Sequence, residues 1–349
     1  MLLIKLFFMN LKSTKFQFTI LTILLLFFML LNISFGSVNI PFKDVILSFF
    51  GDTSIKENWV YIIQDYRLPK TLTAILVGSG LSISGLLMQT LFRNPLAGPF
   101  VLGISSGASL GVALLILGAS LFGASFSALA FSNFGLAIAA SLGAFLVMLA
   151  VMLVAQKVRN TMSILIIGLM FGSLTTAIIS VLAYFSSAQE LQQFMFWSFG
   201  SLGNLSWNEL LLFFVIYLIG ILLVITIIKP LNTLLLGENY AKSLGVNLKR
   251  TKNITLITTA ILTGVITAFS GPIAFIGLAV PHLAKMIFNT SNHKILLPAS
   301  FIIGAIVMLI SDTIAQLPNS EYTLPINAIT SLFGAPIVIW LLVGKRKTY

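Results

Sequence analysis

The sequence predicts an all-α polytopic membrane protein with about ten transmembrane helices, on two observations. Hydrophobic residues make up 58% of the 349 and charged residues only 8%, too few to coat a soluble globule of this size. Apolar runs of about 20 residues, the length that crosses a hydrocarbon core about 30 Å thick, also recur along nearly the whole chain.

Apolar runs and the breakers between them place spans at 16–35, 69–92, 101–118, 126–155, 162–186, 209–228, 254–270, 273–288, 295–317 and 325–344. They read as a single transmembrane domain over 1–349. The first run lies behind Lys5, Lys12 and Lys15 and ends at Ser34-Phe35-Gly36, small residues that would also suit a signal peptidase. Its length from Phe16 favours a retained span over a cleaved leader.

The formal net charge of +11 does not point to nucleic acid, because that reading needs a soluble basic face or tail and here the bases sit in short loops. With the N-terminus inside, the inner segments collect Lys5, Lys12, Lys15, Arg93, Lys157, Arg159, Lys229, Lys242, Lys249, Arg250, Lys252, Lys285, Lys294, Lys345, Arg346 and Lys347, sixteen of the 20 basic residues. The outer side keeps Lys43, Lys56, Arg67 and Lys70, and it holds Asp44, Asp52, Glu57, Asp65, Glu190, Glu209 and Glu321. The positive-inside rule therefore places both termini in the cytoplasm. The chain has no cysteine, which excludes disulfides, thiolate metal sites and cysteine nucleophiles.

Gly78, Gly80 and Gly85, Gly271-Pro272, and the stretch from Gly277 to Pro281 interrupt spans. Such breaks persist in lipid only where protein or a cavity satisfies the backbone. Gly98-Pro99 and Gly271-Pro272 each precede a short Gly-containing helix, a hint of two related halves of opposite orientation, which is a common transporter plan.

The longest inner loop, about Lys229 to Lys252, contains Gly237-Glu238-Asn239-Tyr240-Ala241-Lys242-Ser243-Leu244-Gly245. It reads as a short helix near 236–248. Glu238 suits the positive end of the dipole, Glu238 and Lys242 stand at i and i+4, and Gly245 is free to take a left-handed C-terminal conformation. Tyr240, Ala241 and Leu244 form a small apolar face. On spacing alone, a solvated loop with one weak ion pair stays open.

From Arg67-Leu68-Pro69-Lys70-Thr71-Leu72 the chain runs to Gly85-Leu86-Leu87-Met88-Gln89-Thr90-Leu91-Phe92-Arg93-Asn94-Pro95-Leu96-Ala97-Gly98-Pro99. There follow Leu102-Gly103-Ile104-Ser105-Ser106-Gly107-Ala108, the loop at 237–245, and Gly271-Pro272-Ile273-Ala274-Phe275-Ile276-Gly277-Leu278-Ala279-Val280-Pro281-His282. Leu296-Leu297-Pro298-Ala299, Leu324-Pro325 and Gly334-Ala335-Pro336 complete the series. In this order, over about 67–344, they resemble the FecCD-type (BtuC-like) permeases of ATP-binding-cassette importers for iron-siderophore, haem and vitamin B12.

The resemblance implies a ten-helix type II importer permease fold in the bacterial cytoplasmic membrane. It implies a second permease subunit, identical or paralogous, two ATPase subunits that carry ATP and Mg, and an extracytoplasmic solute-binding protein. No cofactor or metal is implied on this chain, and an iron-siderophore chelate is the expected cargo, with vitamin B12 or haem as alternatives. Gly237, Glu238, Ala241, Lys242, Leu244 and Gly245 match the loop that couples to the ATPase. Arg67 and Lys70 match outer basic positions that dock the binding protein. Asn94, Leu96, Asn160 and Thr161 match positions that narrow the inner mouth, and as loop residues they equally suit turns. The family often has an arginine shortly after the aspartate of the ninth span, where this chain has Gln316 after Asp312.

Two other readings compete. Gly103-Ile104-Ser105-Ser106-Gly107 and the overlapping Gly107-Ala108-Ser109-Leu110-Gly111 both fit G-x-S-x-G, with His282 as a conceivable base. Overlapping matches in a Gly/Ser-rich helix speak for composition rather than for a strand-to-helix elbow. An ion-coupled secondary transporter fits the topology too, but Asp312 stands almost alone inside a span, and a structural hydrogen-bonding role suits it. Neither His282 nor His293 has a carboxylate or second histidine at metal-ligand spacing in the sequence. With no G-x-x-x-x-G-K-[ST] in the chain, an ATP site belongs on another polypeptide.

Overall fold

Each of the ten apolar runs carries a helix in the computed structural model, which describes residues 13–50, 55–118, 132–155, 157–158, 161–203, 205–317, 320 and 322–344. In chain order the helices are α1 Thr14–Ser34, α2 Phe42–Phe49, α3 Glu57–Tyr61, α4 Leu68–Leu91, α5 Ile104–Ile116, α6 Asn133–Ala155 and α7 Thr161–Phe185. After them come α8 Ala188–Ser198, α9 Trp207–Leu234, α10 Glu238–Ser243, α11 Leu248–Ser270, α12 Ile276–Phe288, α13 His293–Ala315 and α14 Ile326–Gly344. Among the described residues seven spans are long and apolar enough to cross a membrane, and α5, α12 and α14 are shorter apolar helices. The first part of the expected span 126–155 lies outside the described residues, as does Asn160.

Several boundaries differ from the sequence expectation. The second span begins not at 69 but at Glu57: α3 runs through a π-helical stretch Ile62–Arg67 directly into α4. The wider π turn accommodates Pro69, which lacks an N–H and crowds the carbonyl four residues earlier. Helix α9 continues past 228 through Pro230 to Leu234, because within a bundle a single proline is tolerated. Helix α11 starts at Leu248 rather than 254, where the Asn247 side chain accepts from Arg250 N at 2.9 Å. A polar first turn with Lys249, Arg250, Lys252 and Asn253 had hidden that start from hydropathy.

Helices α2, α3 and α8 occupy segments expected to be loops. Helix α8 opens on a capping box, Ser187 with Glu190 three residues on, and α9 opens on the same Ser-x-x-Glu device, Ser206 N donating to Glu209 Oε2 at 2.8 Å.

The chain groups into two compact units. The first holds Met1–Leu86, Leu202–Phe214 and Ala274–Tyr349, the second Leu87–Ser201 and Val215–Ile273. In each, glycine sets how closely helices approach, as expected where lipid tails supply no hydrophobic drive between helices. Within the first unit, a Cβ on Gly78 would lie 2.2 Å from Gly304 O and one on Gly85 1.7 Å from Gly277 O, so α4 lies backbone to backbone on α13 and α12. Within the second, a Cβ on Gly107 would meet Gly143 O at 2.6 Å and one on Gly111 would meet Ala139 O at 2.0 Å, joining α5 to α6.

The two short helices after the Gly-Pro breaks, α5 and α12, are each 13 residues long and each start from a left-handed residue. For α5 it is Gly103, at φ 72°. For α12 it is Phe275, at φ 67°, where a side chain costs about 1–2 kcal/mol. That conformation is held by Ala274 N donating to Asn327 Oδ1 at 3.1 Å and by Gly334, where any Cβ would collide with the Phe275 side chain at 2.3 Å.

Candidate coupling site

In the second unit, α4 and α6 end, α9 ends and α11 begins around the loop of Gly237–Gly245. Gly237 caps α10 at φ 122°, ψ 145°, a region open essentially only to glycine. Ala241 N donates to Gly237 O at 2.8 Å to close the single turn. At the other end Gly245 is left-handed, φ 79°. Gly245 N reaches Lys242 O at 3.0 Å and Val246 N reaches Ala241 O at 3.1 Å, the two bonds of a Schellman motif. The C-terminal conformation expected of Gly245 is the one present.

Six residues do not make a stable helix on their own, so supports at both flanks matter. Arg93, which follows α4, donates from Nη2 to Leu234 O at 2.7 Å, satisfying an orphan carbonyl at the end of α9. Asn247 caps α11 immediately after the loop. Ala241 is wholly buried, whereas Tyr240 and Leu244 are more than half exposed, as is Leu236 just upstream. The face expected of Tyr240, Ala241 and Leu244 is therefore divided: Ala241 anchors the helix, and the two larger side chains stay largely exposed. Lys242 lies in the last turn, at the negative end of the dipole, and Glu238 in the first.

An open cavity of about 940 Å³ adjoins the loop, lined by Arg93, Met162, Leu236, Gly237, Glu238 and Tyr240, among others. It brings residues expected to couple to the ATPase beside the immediate neighbours of those expected at the inner mouth. Asn94 itself accepts from Leu96 N at 2.9 Å through Oδ1, the Asx turn that its residue type favours. Leu96 is exposed. Thr161 opens α7, and Asn160 lies outside the described residues. Sequence reasoning gave Arg93 no structural role: it counted only as one more inner charge, since its use as a cap on Leu234 joins two segments distant in sequence.

The first unit holds Arg67 and Lys70, the two residues expected to dock a binding protein. Arg67 is 8% exposed, and its guanidinium donates to Ile33 O at 2.7 Å, to Ser34 O at 2.8 Å and to Val38 O. It closes the C-terminal end of α1, beneath an apolar cluster of Ile33, Ile40, Val45 and Ile63. Lys70 lies 3.2 Å from Asp312. Asp312 Oδ2 also accepts from Asn32 Nδ2 at 2.9 Å and from Gln316 Nε2 at 2.7 Å, while Thr71 donates to Asn32 Oδ1 at 2.7 Å. Asp312 does not stand alone: burial of a carboxylate demands paired and hydrogen-bonded partners, and Lys70 is its counter-ion.

Residues 24–344 match the FecCD transport family. The chain is 36% identical over 328 residues to the vitamin B12 import system permease protein BtuC of Klebsiella pneumoniae, covering 93% of each chain. To the protein of the same name from Salmonella paratyphi A it is 37% identical over 287 residues, 82% of this chain and 84% of that one. Among solved structures, an inward-facing conformation of a metal-chelate type ABC transporter superposes with a TM-score of 0.81 at 32% identity, covering 95% of this chain and all of that one. PsaBC from Streptococcus pneumoniae in complex with Fab shares the fold, at a TM-score of 0.50 and 15% identity. With its membrane-spanning helices and this match over nearly its full length, the chain is a multi-pass permease belonging to the FecCD transport family.

Proposed function

We propose that this chain forms the membrane path of an ATP-binding-cassette importer for a metal chelate, moved by a separate ATPase that grips the loop Gly237–Gly245. One observation carries the reading: α10 is fixed at both ends and anchored by buried Ala241, yet it leaves Tyr240 and Leu244 exposed. A rigid stub with an uncovered apolar tip suits a lever seated in another subunit, whose displacement passes into α9 through Leu234 and into α11 through Asn247. The partners are a second permease subunit, two ATPase subunits with ATP and Mg, and an extracytoplasmic binding protein. The setting is the bacterial cytoplasmic membrane with both termini inside.

For the cargo, the similarity to vitamin B12 import permeases and to a metal-chelate type transporter supports a large coordinated metal complex. A corrinoid is itself a cobalt chelate, so this class holds both vitamin B12 and the ferric siderophores expected from sequence. Lys70 is 22% exposed and retains a docking role in this proposal. The deciding experiment is uptake into sealed proteoliposomes carrying the chain with its ATPase and binding protein, offered a ferric siderophore, haem and cobalamin. Accumulation that requires added ATPase and hydrolysable ATP supports the proposal. Concentration of a solute by the purified chain alone, on an ion gradient, overturns it.

A further inference from the structure

A second cavity, of about 340 Å³, lies in the same unit between the ends of α4, α6 and α9 and the start of α11. Its described wall is apolar at depth, with Leu91, Ala155, Leu234 and Leu256 all buried. Its polar groups are Lys249, Lys252 and Asn253 from the first turns of α11, with Glu238 across from them. Lys252 and Asn253 are half-buried and Lys249 is exposed. The two lysines outnumber the single carboxylate, and the first turn of α11 adds the positive end of a helix dipole.

Cations gathered at one end of an otherwise greasy cavity match a ligand with an anionic head and an apolar tail. The cavity lies where membrane-spanning helices end, and α6, which lines it through Met152 and Ala155, carries the exposed apolar side chains Leu149, Leu153 and Val154. A free nucleotide or phosphate would leave the apolar floor unused. We propose that this cavity binds one anionic phospholipid, its phosphate held by Lys249 and Lys252 with Asn253 as a further donor, and the start of an acyl chain lying along Leu91 and Leu256. Basic pockets between spans recognise lipid headgroups in this way.

The test is native mass spectrometry of the purified full chain in detergent, with added phosphatidylglycerol or phosphatidylcholine. One phosphatidylglycerol should survive activation that strips phosphatidylcholine. The K249Q/K252Q double variant should bind it roughly thirtyfold more weakly, about 1 kcal/mol of attraction being lost per lysine. Asn253→Asp, which opposes the headgroup without deleting a lysine, provides a second variant if the first folds poorly. Equal retention of the two lipids, or phosphatidylglycerol binding undiminished in both variants, overturns the proposal. Displacement of the lipid by inorganic phosphate at equal concentration overturns it as well, since the apolar floor would then contribute nothing. The readout needs neither ATPase nor cargo, so it stands or falls separately from the transport reading.

Discussion

Lys70 Nζ lies 3.2 Å from Asp312 Oδ1, joining the start of α4 to the last turns of α13 through a pair whose carboxylate is almost fully buried. Removing one partner of such a pair strands the other and costs about 3–5 kcal/mol. Asp312→Ala should lower the unfolding temperature of the detergent-solubilised chain sharply, because Lys70, Asn32 and Gln316 all lose their acceptor. The double change of Lys70→Met with Asp312→Leu should recover the part of that loss due to the stranded Lys70 charge, while Asn32 and Gln316 still lack their acceptor. Unfolding of Asp312→Ala at the wild-type temperature would show the pair to be inert.

Arg67 gives a different expectation from a surface cation. It serves the last two carbonyls of α1 and that of Val38 beyond it with one planar fork, a geometry that an ammonium on a flexible stem does not reproduce. Arg67→Lys should destabilise by about 1–3 kcal/mol, measured by thermal unfolding at low and high salt. The loss should be nearly independent of salt, because buried interactions are little screened. A loss that vanishes at high salt would show that the three buried hydrogen bonds contribute little.

The helix contacts at glycine predict a steep contrast between positions. A Cβ at Gly85 would sit 1.7 Å from a backbone oxygen of Gly277, whereas one at Gly264 would meet only Ala144 Cβ at an ordinary 3.8 Å. Gly85→Ala should therefore abolish folded yield from membranes, as assayed by size-exclusion profile. Gly264→Ala should match wild type within about 0.5 kcal/mol.

The ten apolar runs were legible as helices because a bilayer imposes length and apolarity directly on sequence. The loop 237–245 was legible through Glu238 in its first turn and Gly245 at its end, which act within a few residues. What failed to show were features closed by distant segments. Arg93 capping Leu234, Arg67 under the carbonyls of α1, and Lys70 paired with Asp312 each join residues more than a hundred or a few tens of positions apart, and a single sequence carries no period for them. The start of α8 is a different case: Ser187 and Glu190 spell a capping box, but an eleven-residue helix of mixed polarity offers hydropathy nothing to detect.

The loop Gly237–Gly245, proposed to couple to the ATPase, permits stability and transmission to be separated residue by residue, which is the sharpest test of that role. Leu244 is 56% exposed, so Leu244→Glu should leave unfolding within about 0.5 kcal/mol of wild type while ATP-driven uptake in proteoliposomes falls, its contact with the ATPase being lost. Ala241 is fully buried, and Ala241→Glu should lose both, since it buries an unpaired charge. Gly245→Val forces a branched side chain to φ 79° and costs about 1–2 kcal/mol, melting the Schellman turn and lowering uptake in step with local order. If Leu244→Glu transported at the wild-type rate, the exposed tip of α10 would be bare solvent surface, and the lever reading would fail with the fold of the loop intact.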